Sequence, residues 1–348
     1  MKSFEPGVLE RQTVGHTLLQ IIRQLGEYKG KQDLFNEQIP QVLRTLRETA
    51  IIQSTEASNR IEGVVAPHDR IRDLVEKRSE PTNRPEQEIA GYRDVLNTIH
   101  ACHPDMAFTP NLVLQLHRDL FQFVPSSGGK WKITDNKITE KHADGTETIR
   151  LTPVSAVGTP DAMTALHERF DARWNAGEFE PLLLVPTYVL DFLCIHPFLD
   201  GNGRMARLLT LFLLYRAGYE VGRYISLEAL VEQTKDGYYD TLYASSQGWH
   251  EAQHTLVRWW EYFLGVMLLT AYRQFEARLG ATSAKRGAKR AMIIDAVQRL
   301  PKQFRYADLE KLVPSVSRPT INRALRELRD RGEVRCLKQG RDATWEKS

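Results

Sequence analysis

The stretch "HPFLDGNGRMAR", residues 196–207, places a histidine, an aspartate, a glycine-rich turn and two arginines within twelve residues. It follows an apolar run that ends in "PTYVLDFLCI", which predicts a buried helix. That helix is expected to end near His196, because Pro197 disfavours helical backbone in the residue before it. A second amphipathic helix is expected to begin around Gly203 or Arg204. The glycine-rich turn therefore joins the end of one helix to the start of the next.

This loop has the composition of a site for phosphate chemistry. Glycines allow consecutive N–H groups to face one hollow, and a helix N-terminus favours anions. Arg204 and Arg207 lie on one helical face, and guanidinium groups suit phosphate oxygens. Asp200 is a hard ligand of the kind that Mg²⁺ prefers, and His196 is a candidate general base. The alternative is a helix–loop–helix with solvated arginines, but the combination favours nucleotide transfer.

The same stretch resembles the signature of the Fic family, HPFx[DE]GNGRxxR. The fixed positions are all met, by His196, Pro197, Phe198, Asp200, Gly201, Asn202, Gly203, Arg204 and Arg207. The likeness extends through roughly residues 100–270. It implies a mainly α fold, a Fic-type helical bundle with a β-hairpin flap. The hairpin is also indicated by β-branched residues around Asp144-Gly145 in "GGKWKITDNKITEKHADGTETIRLTP".

The resemblance implies an ATP-dependent protein adenylyltransferase, which moves AMP from ATP to Ser, Thr or Tyr hydroxyls of target proteins and of itself. By the same resemblance, His196 takes the hydroxyl proton and Asp200 holds Mg²⁺. Phosphates are expected to contact Gly201, Asn202, Gly203, Arg204 and Arg207, the last through the γ-phosphate.

Two further features follow from the resemblance. Tyr238 and Tyr239 are similar to residues near the adenine pocket of the family. The flap, within residues 131–150, is expected to pair with the backbone of a target protein as an added strand. Many relatives have an arginine after the glycine that opens the flap, whereas "GGKWK" offers lysines here.

A second motif, "SNRIEG" at residues 58–63, matches the inhibitory signature of the family, [ST]xxxE[GN], through Ser58, Glu62 and Gly63. A plain helix C-cap is the alternative. The inhibitory interpretation predicts that Glu62 pairs with Arg207 and removes the partner of the γ-phosphate. ATP then binds in a pose unsuited to in-line attack. Some relatives use the same glutamate to remove AMP, so the reverse reaction is part of the hypothesis.

The chain is expected to divide into an N-terminal helical region with the inhibitory helix (1–105), a catalytic core (106–279), a linker (280–289) and a C-terminal domain (290–348). In the last region, three helices and two short strands predict a winged helix-turn-helix. Arg318, Arg323 and Arg326 are its candidate DNA contacts.

Other interpretations stay open. The C-terminal domain raises a DNA-binding regulator as an alternative function, and a winged helix that docks on protein or dimerises is the other interpretation of this domain. Relatives that transfer phosphate, UMP or phosphocholine make another transferred group a third possibility. "HEAQH" at residues 250–254 matches the zinc-metalloprotease pattern HExxH. No clear third ligand accompanies it, and its surroundings favour a turn, so a metalloprotease is the least favoured interpretation.

Composition gives the setting. The formal net charge is +3, so the whole molecule is not a strong polyanion binder, although a local basic patch is compatible with it. Cys102, Cys194 and Cys336 are odd in number and lack a CxxC pair, which favours a reducing compartment. With neither a signal peptide nor an apolar membrane span in the sequence, the expected location is cytoplasmic. A homodimer is implied only by the family.

Overall fold

The computed structural model describes residues 1–38, 40–125, 128–141, 147–284, 288–313, 316–338, 340 and 343–347. Its contacts divide the chain into two compact units. The first comprises Met1–Gly30 and Leu46–Arg273, and the second comprises Lys31–Thr45 and Gln274–Ser348. Most of the N-terminal region thus belongs to the same unit as the predicted catalytic core, whereas residues 31–45 belong to the second unit. The predicted domain boundaries themselves stay a prediction.

The described residues form a mainly helical fold, as the sequence predicts. The helices before the hairpin are α1 (His16–Gln38), α2 (Pro40–Ile61), α3 (His68–Val75), α4 (Arg84–Cys102) and α5 (Pro110–Leu120). Those after it are α6 (Thr159–Ala176), α7 (Pro181–Ile195), α8 (Asn202–Arg216), α9 (Leu227–Gln233), α10 (Lys235–Ser246), α11 (Val257–Glu261), a π-helical segment (Tyr262–Leu269) and α12 (Thr270–Ala284).

The predicted hairpin is present as two antiparallel strands, β1 (Ile138–Lys141) and β2 (Glu147–Leu151). Thr139 pairs with Ile149, and the register shifts between Ile138 and Thr139. The expected turn at Asp144-Gly145 lies outside the described residues. The hairpin is small, so its two strands are the whole of this sheet in the part of the chain that the structure describes.

The centre of the first unit is built from α7 and α8. Every residue of α7 from Leu182 to Ile195 is buried, which explains its nearly continuous apolar sequence. The indole N–H groups of Trp259 and Trp260 donate to Pro186 O and Thr187 Oγ1 at 2.7 and 2.9 Å. Pro186 lies inside the helix, and α7 runs past it. The glycine-rich loop is therefore held between two deeply buried helices.

The second unit contains α13 (Ala288–Arg299), β3 (Gln303–Arg305), α14 (Tyr306–Leu312), α15 (Arg318–Asp330), β4 (Val334–Lys338) and β5 (Thr344–Lys347). The strands form one antiparallel sheet in the order β3-β5-β4. Ile293, Leu309, Ile321 and Leu325 are fully buried in the core of this unit. The assignment of these elements to a winged helix-turn-helix domain stays a prediction.

The predicted linker, residues 280–289, is a point of difference. The helix α12 continues to Ala284 and α13 begins at Ala288, so much of this segment is helical. Residues 285–287 lie outside the described residues. The alanines of "GATSAKRGAK" are strong helix formers, and they outweigh the small polar residues that predicted a linker. Among the described helices, none is long and apolar enough to cross a membrane.

Candidate functional site

The glycine-rich loop turns sharply between α7 and α8. His196 is the C-cap of α7 in the left-handed conformation, with φ +50°. Gly201 is the N-cap of α8, with φ +80°. A Cβ at Gly201 would lie 2.9 Å from Phe121 Cε2, so both the conformation and the close approach require glycine here. The turn directs the first N–H groups of α8, which have no partner inside the helix, toward the loop.

Asn202 and Phe198 hold this loop closed. Asn202 Oδ1 accepts from Phe198 N at 2.9 Å, and Asn202 Nδ2 donates to Phe198 O at 2.8 Å. Both polar ends of the Asn202 side chain thus have a partner within the loop. One N–H of the amide is left by these two bonds, and the contact of Asn202 with phosphate stays a prediction. The Phe198 ring is fully buried, so it anchors the loop to the core.

His117 on α5 contacts the loop and belongs to no sequence motif. Its ring stacks on Phe198 with centroids 3.6 Å apart and planes 1° from parallel. Its Nδ1 accepts from Gly129 N at 2.9 Å, so Nε2 carries the proton and donates to Asp200 O at 3.1 Å. Burial lowers the pKa of His117 to about 4, which keeps this donor neutral.

Lys132 ties the segment before the hairpin to the same loop. Its backbone N–H donates to Pro197 O at 2.8 Å, and its Nζ donates to Ile195 O at 3.1 Å. The Nζ also donates to Asn136 Oδ1 at 2.8 Å. These contacts lie on both sides of His196 in the chain. These contacts could not be predicted from "GGKWK", because nothing in the local sequence marks Lys132 as buried.

The imidazole of His196 faces a cavity of about 340 Å³. Burial lowers the pKa of His196 to about 4, and the charge of Lys132 acts in the same direction, whereas that of Glu62 opposes it. A hydrogen bond with the backbone at Leu193 favours the charged form of the ring, but burial outweighs it. The histidine is therefore neutral near pH 7 and able to accept a proton.

The predicted pair of Glu62 and Arg207 is formed. Arg207 Nη2 donates to Glu62 Oε1 at 2.7 Å and to Ser58 O at 2.9 Å. Arg207 Nε donates to Ser58 Oγ at 2.8 Å. Ser58 and Glu62 lie one turn apart at the end of α2, which is why both reach one guanidinium. Gly63 follows with φ +80°, the left-handed conformation expected after a helix.

Glu62 also covers the first turn of α8. A Cβ at Gly203 would lie only 2.2 Å from Glu62 Oε1, so the carboxylate lies directly against this glycine. Burial alone would raise the pKa of Glu62, but the charge of Arg207 and its hydrogen bond outweigh burial and lower the pKa. An ionised carboxylate thus occupies the position where the helix N-terminus favours an anion.

Arg204, unlike Arg207, pairs with Glu88, a partner that the sequence did not predict. Its guanidinium is 1% exposed, and Nη1 donates to Glu88 Oε2 on α4 at 2.6 Å. Its Nη2 lies 3.6 Å from Asp200 Oδ1. Glu88 is itself buried. In the sequence it stands in an ordinary charged helix, "RPEQEIAGYRDV", so only the packing of α4 against α8 identifies it.

The cavity is enclosed by several elements of the first unit. Tyr238 and Tyr239 of α10 line it together with Arg207, as do Ile138 and Leu151 of the hairpin. The Tyr238 ring is buried and packs edge-on against Trp259, with centroids 5.5 Å apart. The structure thus brings the two predicted tyrosines into the same cavity as His196.

Asp200 offers an open carboxylate at the loop. Its side chain is 61% exposed, and Oδ1 accepts from Gly201 N at 2.6 Å. In the part of the chain that the structure describes, no three His, Cys, Asp or Glu side chains form a group that could hold a metal ion. Mg²⁺ is commonly held by one or two carboxylates with substrate phosphates and water, so a single exposed Asp200 fits this cation.

The HExxH pattern is not on a helix, so His250 and His254 do not share a helical face. His250 Nε2 contacts Thr152 O at 2.8 Å, and His254 Nε2 contacts Ser3 Oγ at 2.8 Å.

Of the predicted DNA contacts, Arg323 and Arg326 are exposed on α15. Arg318 is paired with Glu310, with Nη2 and Oε2 2.9 Å apart.

Comparisons with known proteins agree with the geometry. The profile of the Fic/DOC family matches residues 107–214. The protein adenylyltransferase Fic of Drosophila persimilis is 26% identical over 237 residues, 65% of this chain and 42% of that protein. That of Aedes aegypti is 26% identical over 215 residues, 59% of this chain and 39% of that protein. The chain thus spans about two fifths of the length of these curated relatives.

Solved structures share the fold at lower identity. A Fic family protein from Desulfovibrio desulfuricans G20 aligns over 97% of each chain, with TM-score 0.63 and 19% identity. Fic-1 from C. elegans aligns over 78% of this chain and 74% of its own, with TM-score 0.58 and 17% identity. The complete motif, the helical fold with its hairpin and the family match together identify a Fic domain within residues 107–214 of this chain.

Proposed function

We propose that this protein is an ATP-dependent protein adenylyltransferase that its own Glu62 restrains. The observation that carries the proposal is the meeting of His196, Gly203, Arg207 and Glu62 around one cavity. The named relatives are protein adenylyltransferases, which supports the same reaction class.

The cavity has the features that an ATP site requires. The N-terminus of α8 and Arg207 favour the phosphates, and Tyr238 and Tyr239 offer aromatic surface for the base. Asp200 would hold Mg²⁺, which when bound neutralises phosphate charge during transfer. Adenine, rather than another base, is part of the proposal.

The reaction is an in-line displacement at the α-phosphorus. A target Ser, Thr or Tyr oxygen forms a bond to the α-phosphorus, while the bond from that phosphorus to the oxygen bridging to the β-phosphate breaks. Pyrophosphate leaves with the bonding electron pair. His196, neutral near pH 7, takes the hydroxyl proton as general base. Positioning and charge stabilisation supply most of the catalysis in such transfers.

Restraint follows from the position of Glu62. The Glu62 carboxylate accepts a hydrogen bond from Arg207 and lies against Gly203. It would therefore repel a γ-phosphate and occupy the Arg207 donor that this phosphate needs. The nucleotide then binds with its α-phosphate out of line with the incoming hydroxyl, and misalignment of about 1 Å can cost about 100-fold in rate. The same carboxylate could orient water to remove AMP, which we include in the proposal.

The testing experiment incubates wild type, Glu62→Gly, His196→Ala and the double variant Glu62→Gly/His196→Ala with Mg²⁺ and ATP labelled at the α- or the γ-phosphate. We expect label only from the α-phosphate, on the chain itself and on proteins of a lysate. It should be strong in Glu62→Gly, weak in wild type and absent in Glu62→Gly/His196→Ala. Label from the γ-phosphate would instead establish phosphate transfer. Equal labelling of wild type and Glu62→Gly would refute the restraint.

Target proteins are proposed to dock on the hairpin, where an added strand would bring a hydroxyl beside His196. Ile138 and Leu151 of the hairpin line the cavity, which supports this route.

We also propose that the protein is cytoplasmic, since Cys102, Cys194 and Cys336 are free thiols. A homodimer stays a prediction from the family.

DNA binding is a second candidate function, favoured by exposed Arg323 and Arg326 on α15. Fluorescence anisotropy of the full chain with labelled duplex DNA, at several salt concentrations, tests it. Arg323→Ala/Arg326→Ala should weaken binding and reduce the salt slope. As a control on another helix of the same unit, Arg299→Ala should have little effect. If the full chain does not bind DNA at low salt, this candidate fails and docking on protein is favoured.

A further inference from the structure

The candidate site contains a second buried carboxylate, Glu88, which the proposed reaction leaves without a role. Its side chain is 7% exposed, and its two oxygens have different partners. Oε2 accepts from Arg204 Nη1 at 2.6 Å, and Oε1 accepts from Arg84 Nε at 2.9 Å. A buried guanidinium such as that of Arg204 is stable only beside a compensating charge, and Glu88 supplies that charge.

Glu88, Arg84, Arg204 and the loop residue Asp200 form a closed ring of alternating charges. Arg84 Nη2 lies 3.9 Å from Asp200 Oδ2, and Arg204 Nη2 lies 3.6 Å from Asp200 Oδ1. Each of the two carboxylates, Glu88 and Asp200, therefore faces both arginines. The contacts of Glu88 are the short ones, so Arg204 is fixed from the side of α4 and only loosely approached by Asp200.

Glu88 differs from Glu62 because it does not cover the first turn of α8. The atoms nearest to a side chain built at Gly201 or Gly203 belong to Phe121 and Glu62, not to Glu88. The phosphate position is thus covered by Glu62 alone of the two carboxylates. Among the described residues, Arg204 Nε is buried without a hydrogen-bond partner, so Arg204 keeps a donor that Glu88 does not use.

We propose that Glu88 is a positioning residue, which fixes the Arg204 guanidinium at the loop before the nucleotide binds. The proposal rests on the proposed function, because it takes the loop to bind phosphates. Without the Glu88 charge, Arg204 would be drawn to Asp200, four residues before it in the chain, and would have to reorganise when phosphates arrive. Preorganised donors avoid that cost.

The test compares Glu88→Gln with Glu86→Gln, both in the Glu62→Gly variant. Glu86 is the matched control, since it is equally buried on the same helix but pairs with Arg70 at 2.8 Å, away from the loop. The Kd of ATP is measured by titration, and KM and kcat by AMP transfer. Glu88→Gln should weaken ATP binding and lower kcat/KM about tenfold or more, whereas Glu86→Gln should leave both unchanged.

A third comparison separates positioning from a structural role. In an Arg204→Gln background, Glu88→Gln should have no further effect, because no guanidinium remains to be fixed. If Glu88→Gln does not fold, Arg84→Gln replaces it, since Arg84 is 66% exposed and supports Glu88 directly. It should give a smaller loss of ATP affinity in the same direction.

Several results would overturn the proposal. Equal losses in Glu88→Gln and Glu86→Gln would reduce Glu88 to a stabilising residue. Tighter ATP binding or faster transfer would make it a second inhibitory carboxylate. If the Glu62→Gly reference binds ATP but transfers no AMP, the proposed function fails, while the binding comparison still decides the role of Glu88. If the Glu62→Gly reference does not bind ATP, both the proposed function and the positioning role of Glu88 are refuted.

Discussion

His196 illustrates how burial sets the charge state of a single residue. An exposed histidine has a pKa near 6.5 and is partly charged near pH 7. Burial lowers the pKa of His196 to about 4, with Lys132 acting in the same direction and Glu62 against it. The neutral ring that a general base requires is thus the dominant form over the whole range from pH 5 to 8.

This state predicts the pH profile of transfer. In Glu62→Gly, the loss of the opposing carboxylate should lower the pKa of His196 further. We therefore expect kcat/KM to show no histidine-dependent decrease between pH 8 and 6, and to fall only as the pH approaches about 4. Initial rates of α-phosphate label transfer across this range measure it. A decrease with a midpoint near 6.5 would contradict a buried, neutral His196.

Among the elements, the segment before the hairpin and the α7–α8 loop act as one body through Lys132. Its Nζ donates to Ile195 O, the last residue of α7, and its backbone N–H donates to Pro197 O. A cation near the C-terminus of a helix also interacts favourably with the helix dipole. The segment before the hairpin is thereby tied to the residues on both sides of His196.

Substitution of Lys132 tests this link. In the Glu62→Gly variant, Lys132→Met keeps the apolar stem but leaves Ile195 O and Asn136 Oδ1 without their donor. We expect a loss of about 1–3 kcal/mol in the free energy of unfolding and a lower kcat, with little change in the Kd of ATP. Urea unfolding and transfer assays measure these. Lys130→Met, at an exposed position two residues earlier, should be near neutral, and equal effects at both positions would refute the link.

The turn that starts α8 makes a second prediction at the level of elements. Gly201 and Gly177 both have positive φ, +80° and +68°, but a Cβ meets Phe121 Cε2 at 2.9 Å at Gly201 and open space at Gly177. Alanine at Gly177 should cost about 1–2 kcal/mol of unfolding free energy, from the left-handed conformation alone. Alanine at Gly201 should cost at least about 1 kcal/mol more, from the added clash. Equal losses in urea unfolding would exclude the close approach.

In the whole molecule, burial of several histidines makes stability depend on pH. Burial lowers the pKa of His100 to about 3 and that of His117, His167, His196 and His254 to about 4. Between pH 6.5 and about 4, the unfolded chain therefore binds more protons than the folded one. The free energy of unfolding must rise with pH in this window and fall as the solution is acidified.

We expect urea unfolding, followed by the fluorescence of buried Trp249, Trp259 and Trp260, to show lower stability at pH 5 than at pH 7. Each buried histidine contributes up to about 1.4 kcal/mol per pH unit. His167→Gln should reduce this slope, whereas His16→Gln, at an exposed position, should not. A stability that is unchanged or higher at pH 5 would show that the buried histidines gain partners for their charged form.

The family, the helical fold class, the hairpin and the motif could all be predicted from the sequence, because each depends on local pattern. Apolar spacing indicates the buried helix α7, Pro197 its end, and Gly201 the turn that follows. The pairing of Glu62 with Arg207 was also predicted, although the two residues lie 145 positions apart. That prediction came from the resemblance of two motifs to the family and not from any local rule.

Only the tertiary structure decided which side chains support the loop. Glu88, His117 and Lys132 reach it from α4, α5 and the segment before the hairpin, and nothing in their local sequences distinguishes them from surface residues. The use of Asn202 inside the loop was likewise unpredicted. Long-range packing determines which polar groups are buried together, and burial determines which of them must be paired. The sequence thus determined the chemistry of the loop, while the fold determined the partners that hold that chemistry in place.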